Sequence, residues 1–224
     1  METLFIDAKY TGNVELSKPT LKYLKRFKSL ALYSSVQFAS KLTKVIEQLK
    51  GIKVIISKPK RASVKFQILG CDVKKEDLNL IIKPDAFLYI GDGQFHPNAP
   101  LFSRNVKVVA YNPITKKHKV LTQKNIERNL KRQKAALTKF YSSNSIGVLI
   151  TLKPDQQRYL DARKLIKKYP NKNFYFFLDN NLDLNSLENF PFIQSWVNTA
   201  CPRIALDDSL NYDFSIINLD EVLK

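Results

Sequence analysis

The sequence predicts an α/β fold of two tandem, similar β-α-β domains with parallel sheets, and three observations predict it. Short, almost wholly apolar runs recur at 30–33, 86–90, 106–111, 146–150 and 174–178; runs of this length suit strands buried on both faces. Segments with helical spacing of apolar residues lie between them. The pattern also restarts: SLALYSS (29–35) can be laid on SIGVLIT (145–151) at an offset of 116, each a strand ending in a hydroxyl residue before a helix. Repeated β-α-β units with right-handed crossovers give parallel sheets covered by helices, and ligands then gather in loops at the carboxyl ends of the strands.

Taken in order, Leu4-Phe5-Ile6 suits a short strand. Residues 16–27 have apolar positions 16, 21, 24 and 27, a short lysine-rich helix with Pro19 in its first turn, where a missing N–H does little harm. Leu30–Tyr33 is a buried strand, followed by a helix over 36–50 that Gly51 stops. Strands are expected at 52–56, 64–69, 86–90 and 106–111. A charged helix over 122–141 separates two halves, with apolar residues 126, 130, 137 and 140 on one face. The second half then reads as a strand at 146–150, a helix to about Lys168, a strand at 174–178 and a helical turn at 182–187. Ser195–Thr199 leads into Ala200-Cys201-Pro202-Arg203, and a last strand (214–217) and helical turn (220–223) end the chain.

With 44% hydrophobic and 11% aromatic residues among 224, the chain can build a packed interior, which excludes general disorder. No apolar run approaches the roughly 20 residues that cross a bilayer. The start, METLFIDAKY, carries Glu2 where a signal peptide is basic. The expectation is a soluble, cytoplasmic protein without a membrane partner.

The net charge of +17 raises the question of nucleic acid. It comes from 29 lysines against 8 arginines, spread over nearly every segment. Solvated lysine-rich faces and an electrostatic role toward an anionic cofactor or an RNA-bound partner both account for it. An RNA-binding module would interleave aromatics with arginine on an exposed face. Here the aromatics fall mostly in predicted strands, and direct nucleic-acid binding is not expected.

Cys71 and Cys201 are the only cysteines, and His96 and His118 the only histidines. Without CxxC, no zinc finger can be built from neighbouring ligands. On their own, two distant thiols read as inert core residues. Each, however, follows a small residue near a strand end, as Gly70-Cys71 and Ala200-Cys201.

QILGCD (67–72), YIGDGQFHP (89–97), GVLITLKPDQ (147–156) and NTACPRIALDD (198–208) together resemble the diphthamide synthase family, the 2-(3-amino-3-carboxypropyl)histidine synthases. The resemblance runs along almost the whole chain; LGC and TACPRIALDD are its most specific pieces. It implies three similar α/β domains around a crevice, each giving one cysteine to a 4Fe–4S cluster. Residues 1–27 would then be a strand–helix remnant of the first domain, 28–121 the middle domain carrying Cys71, and 122–224 the C-terminal domain carrying Cys201. Soft thiolates suit such a cluster. Three thiolates leave one iron open for S-adenosylmethionine, whose reductive cleavage yields a 3-amino-3-carboxypropyl radical. That radical adds to C2 of a histidine in translation elongation factor 2, the first step of diphthamide formation.

The family's first cysteine has no counterpart here, and neither His96 nor His118 matches it by position. The expectation is a transferase component, inactive alone, whose third cluster cysteine comes from a separate polypeptide supplying the first domain, with complete assemblies pairing as dimers. A non-catalytic subunit supporting a cluster on a sister subunit is the alternative within the same family. Thr151, Lys153 and Gln156 loosely fit the family's cofactor loop, with Asp155 where a glycine is expected. Lys153 would face the amino-acid end of S-adenosylmethionine, while Asp155 equally suits a helix start after Pro154. Gly91, Asp92 and His96 would line the crevice, or Gly91 and Gly93 simply make a turn that Asp92 caps. Arg203 either balances the cluster's charge or pairs with Asp207-Asp208.

Overall fold

The computed structural model describes residues 8–153 and 156–224. The strand expected at Leu4-Phe5-Ile6, and Pro154-Asp155, lie outside the described residues. The chain divides into two compact units, Met1–Ile126 and Glu127–Lys224. That division falls inside the segment read as one helix over 122–141: a 3-10 turn (Gln123–Ile126) comes first and the α-helix begins at Glu127. Asn125 sets the turn, its side-chain oxygen accepting from Thr122 N at 2.8 Å.

In the first unit, helix α1 (Lys18–Leu24) starts with Pro19 in its first turn. Leu24, with Val14 and Leu16, is buried in the same core as Leu30 and Leu32, so residues 14–24 pack as part of this unit. Strand β1 (Ser29–Ser34) follows. The helix expected over 36–50 is two pieces, α2 (Val36–Ala39) and α3 (Thr43–Gln48). Between them the backbone tightens, Lys41 N donating to Phe38 O at 2.9 Å, which turns Leu42 into the core at 1% exposure. Gly51 ends α3 with φ +88°, a conformation that costs glycine little. Then come β2 (Lys53–Ile55), β3 (Ala86–Ile90), α4 (Ala99–Ser103), β4 (Lys107–Asn112) and β5 (Lys117–Leu121).

The sheet order is β2-β1-β3-β4-β5, parallel except for the last pair. The β4–β5 hairpin went unread in the sequence. Its turn is made by Asn112, whose side-chain oxygen accepts from Ile114 N and Thr115 N, and by Lys116 at φ +56°. The strand expected at 64–69 is only an isolated bridge, Ser34 to Gln67. Phe66 sits at φ +68°, which breaks any extended run through it.

The second unit holds α5 (Glu127–Ser142), β6 (Ser145–Thr151), α6 (Tyr159–Ala162), α7 (Lys164–Lys168) and β7 (Asn173–Asp179). A 3-10 turn (Leu184–Asn189), β8 (Ser195–Asn198), α8 (Pro202–Leu206), a second 3-10 turn (Asp208–Asn211), β9 (Ile216–Asn218) and α9 (Leu219–Leu223) complete it. Its sheet is parallel throughout, in the order β7-β6-β8-β9. Ala136, Phe140, Val148, Val197 and Leu219 fill one face, and Leu149, Leu187 and Trp196 the other. Gly147 is required: a Cβ there would lie 2.3 Å from the Trp196 ring.

The orders β2-β1-β3-β4 and β7-β6-β8-β9 are the same winding, as the restart in the sequence implied. The cysteines, however, are not equivalent in it. Cys71 lies in the connection between the second and third strands of its unit, and Cys201 directly after the third strand of its own. Among the described residues, no helix is long and apolar enough to cross a membrane.

Candidate functional site

In the first unit the chain leaves β1 in one direction to reach β2, while β3 lies on β1's other side. The crevice at such a reversal, beyond the carboxyl ends of β1 and β3, is where open α/β sheets bind ligands. The 66–68 segment is tied to this point, since Ser34 N donates to Phe66 O at 2.7 Å and Ile68 N to Ser34 O at 3.0 Å. It carries the Leu69–Asp72 turn to the end of β1. Asp72 closes that turn, its Oδ2 accepting from Leu69 N at 2.8 Å and its own N donating to Leu69 O at 3.1 Å. Gly70 and the half-buried Cys71 sit at the tip. A Cβ on Gly70 would lie 1.9 Å from a Phe95 ring carbon, so the LGC and GDGQFHP motifs pack directly on each other.

Gly91, at the end of β3, is needed for a similar reason: a Cβ would lie 2.5 Å from the Tyr89 hydroxyl. Gly93 has φ +69° and Asp92 is exposed. His96 is half-buried, stacked on Tyr89 at 6.4 Å and edge-on to Phe95 at 5.5 Å. Around the strand ends Ser34 Oγ, Ser35 Oγ, Tyr89 Oη and Asp72 Oδ1 are buried without a hydrogen-bond partner, a state that native interiors rarely leave unanswered. Burial pushes the Asp72 carboxyl up to about 6; the Leu69 N–H opposes this, Asp77 adds to it and Arg61 opposes it. Burial also pushes the Tyr89 hydroxyl up to about 12, against the pull of the neighbouring Ser35 hydroxyl and with a contribution from Asp92.

In the second unit the reversal lies between β6 and β8. Thr151, the last residue of β6, is 2% exposed and its hydroxyl accepts from Lys153 N and donates to Asn180 O, both at 3.3 Å. Lys153 is exposed and Gln156 half-buried, with Gln156 N donating to Lys153 O at 3.1 Å. The loop after β8 is fastened from several sides. Thr199 gives its N–H and its hydroxyl to Leu149 O, at 3.1 and 2.9 Å. Asn198, 1% exposed, donates to Cys201 O at 2.9 Å and to Asn218 Oδ1 at 2.8 Å, and accepts from Ala200 N at 3.1 Å. Asn218 in turn donates to Pro202 O at 3.0 Å. Cys201 therefore sits half-buried on a backbone clamped by two asparagines.

Asn198 and Asn218 were missed in the sequence, although an asparagine at the last position of a strand, just before a turn, is a signal of this kind. Arg203 is 3% exposed and forms an ion pair with Asp207 one helical turn on, one of the two roles its position allowed. Burial, then Asp207, raises the Asp208 carboxyl, and Arg203 opposes them.

Neither cysteine is in a disulfide. Among the described residues no group of three or more His, Cys, Asp and Glu gathers to hold a metal ion. Each unit instead places one soft thiol near the carboxyl ends of its parallel strands, the donor type an iron–sulfur cluster takes. His118 is accounted for otherwise: its Nδ1 shares a hydrogen bond with Thr20 Oγ1 at 2.9 Å and its ring packs on Tyr23.

A family model described as "Putative diphthamide synthesis protein" matches residues 1–223. The chain belongs to the diphthamide synthesis family. It is 28% identical over 213 residues to the 2-(3-amino-3-carboxypropyl)histidine synthase of Pyrococcus horikoshii, covering 92% of this chain and 60% of that protein. The synthase of Methanocaldococcus jannaschii is 26% identical, with 99% and 61% covered. The human synthase subunit 1 is 28% identical over 80% of this chain and 40% of its own length. A crystal structure of Dph2 from Pyrococcus horikoshii with a 4Fe–4S cluster superposes with a TM-score of 0.76 at 25% identity, covering 92% of this chain and 59% of that one. The chain thus spans about 60% of the length of these archaeal members of the family.

Proposed function

We propose that this chain is the part of a 2-(3-amino-3-carboxypropyl)histidine synthase that carries two cluster thiolates, Cys71 and Cys201. The observation that supports it best is a half-buried thiol near the carboxyl ends of the parallel strands in each unit, in a family with a solved member that contains a 4Fe–4S cluster. Two thiols fit such a cluster as part of its ligand set; the third comes from a polypeptide segment outside these 224 residues. The Asp72 turn aims Cys71, and Asn198 aims Cys201. Among the groups at the same strand ends, Lys153 is the cation suited to the carboxylate of S-adenosylmethionine. Thr151 and Gln156 shape its loop, and Gly91, Asp92 and His96 offer close backbone and polar contacts to the rest. Arg203, held by Asp207, keeps a positive charge close in sequence to Cys201. The cluster would supply the electron that breaks the bond from the sulfonium sulfur of S-adenosylmethionine to its 3-amino-3-carboxypropyl group, releasing methylthioadenosine. That group would go to C2 of a histidine in translation elongation factor 2, in the cytoplasm, with the C2 hydrogen leaving as a proton and one electron returned.

The test is anaerobic reconstitution with iron and sulfide, for the chain alone and together with a family segment carrying the third cysteine. A stable brown complex that forms only in the second case, and is lost in Cys71→Ala and in Cys201→Ala, supports the proposal. Incubation with S-adenosylmethionine, reductant and elongation factor 2 should then add the mass of one 3-amino-3-carboxypropyl group to the factor. A cluster indifferent to both cysteines overturns the assignment.

A further inference from the structure

The positive charge of the first unit is concentrated. From Leu16 to Cys71 the chain has 13 lysines and arginines against one acid, Glu47, and the topology gathers several of them at one end of the sheet. The parallel strands β2, β1, β3 and β4 all start there, opposite the crevice. Lys53 opens β2, pairs with Ser29 of β1, and donates its N–H to Lys28 O at 2.9 Å. Lys107 opens β4, paired with Ala86 at the start of β3. With strands about 5 Å apart, Lys53, Lys28 and Lys107 extend over roughly 15 Å. The helices that feed β1 and β2 end here as well: Lys25 caps α1, Arg26 follows it, and Lys50 follows the cap of α3.

All six cations are exposed, and none is in an ion pair among the described residues. Arg26 lies over the Tyr23 ring, 3.9 Å from its centre. The acids in these segments are Glu47, in the last turn of α3, and Asp85, whose carboxylate accepts from Lys28 N and Ser29 N, both at 2.8 Å. Helix dipoles favour cations at helix C-termini, which accounts for Lys25 and Lys50. Strand starts have no such dipole. Lysine also guards sheet edges against pairing, but β1 and β4 are interior strands. Protein interfaces are poor in lysine and rely on aromatic and arginine anchors, whereas lysine serves phosphate as a point charge. Exposed aromatics are what single strands need; a duplex can be held through its phosphates alone.

We infer that this end of the first unit docks the phosphate backbone of double-stranded RNA without reading its sequence. The choice of RNA over DNA rests on the proposed substrate, a translation factor; the surface itself is independent of the cluster reading. The six residues of β1 set it roughly 20 Å from the crevice, so RNA bound here leaves the ligand end of the unit open.

The test is fluorescence anisotropy of a labelled RNA duplex of about 16 base pairs, titrated with the full chain at several salt concentrations. Log affinity should fall against log salt with a slope of about −3 to −5, as for about four to six phosphate contacts. Lys28→Gln, Lys53→Gln and Lys107→Gln together should make the slope shallower by about 2 to 3 and weaken low-salt binding at least about tenfold. Each change alone should remove about 1 from the slope, so the idea stays testable if the triple variant misfolds. Lys131→Gln, Lys134→Gln and Lys139→Gln, at exposed positions of α5, remove the same charge and should leave binding nearly unchanged. Equal losses in the two triple variants overturn the surface in favour of overall charge. Equally tight binding of a DNA duplex overturns RNA as the partner, and polyglutamate competing as well as unlabelled RNA overturns it in favour of an acidic protein. Iron uptake by the reconstituted complex should be the same in every variant, which separates failure here from failure of the cluster assignment.

Discussion

Replacing Asn198 by alanine tests the clamp that holds Cys201. The substitution removes three hydrogen bonds, to Cys201 O, to Asn218 Oδ1 and from Ala200 N. Cys201 O keeps a partner in Ile204 N at 3.1 Å, but Asn218 Oδ1 and Ala200 N lose the bonds that Asn198 gave them. At about 1 kcal/mol for each bond, with a further penalty for polar atoms stranded away from water, the loss comes to roughly 2–4 kcal/mol. Asn198→Asp keeps the acceptor for Ala200 N but sets a carboxylate against two carbonyl-type oxygens, and should lose at least as much. The protein has one tryptophan, Trp196, 2% exposed and two residues before Asn198 on β8. Its fluorescence in urea therefore reports unfolding of the second unit. With a slope of about 2 kcal/mol per molar urea, the midpoint should fall by roughly 1–2 M. A fall of less than about 0.3 M would mean that the asparagines do not fix the loop.

Gly147→Ala drives a methyl into the buried Trp196 ring and should cost about 1–3 kcal/mol, seen in the same urea transition; an unchanged midpoint contradicts the packing. Gly70→Ala meets the far edge of the Phe95 ring, a side chain that is 48% exposed. It should change stability little while displacing the 91–97 loop, visible as faster amide exchange there. Tyr33 and Tyr89 are both pushed up to about 12, in each case mainly by burial. The unfolded chain ionises its tyrosines from about pH 10, before the native state does, so native stability falls as pH rises from about 10 toward 12. Each contributes roughly 2–3 kcal/mol to that fall; Tyr33→Phe or Tyr89→Phe should flatten the alkaline limb, and an identical limb in both variants refutes it.

The strands that were legible in the sequence are those buried on both faces. Ala86–Ile90 and Ser145–Thr151 carry nearly unbroken apolar runs, which nothing but an interior position of a parallel sheet requires. The β5 strand, Lys117–Leu121, was not legible because it alternates Lys, His and Lys at a half-exposed sheet edge. The 64–69 strand failed on a single residue, Phe66, whose left-handed backbone no hydrophobic pattern announces. At the site, the cysteines and glycines showed in the motifs, and the close contacts of Gly70 and Gly91 give two of those glycines a physical reason. Asn198 and Asn218 did not show as a pair, because the bond that joins them spans 20 residues of sequence and Asn218 reaches back 16 to Pro202. The similar pairs Gly70-Cys71 and Ala200-Cys201 each lie near a strand end, but the topology places the two thiols on different connections of their units.

The account is tested most directly by Mössbauer spectroscopy of the complex reconstituted with isotopically enriched iron, before and after adding S-adenosylmethionine. A 4Fe–4S spectrum in which one iron changes its parameters on adding the cofactor, and which disappears when Cys71 and Cys201 are both alanine, is the predicted result. The same spectrum persisting in the double-alanine protein would contradict the claim that these two sulfurs hold the cluster.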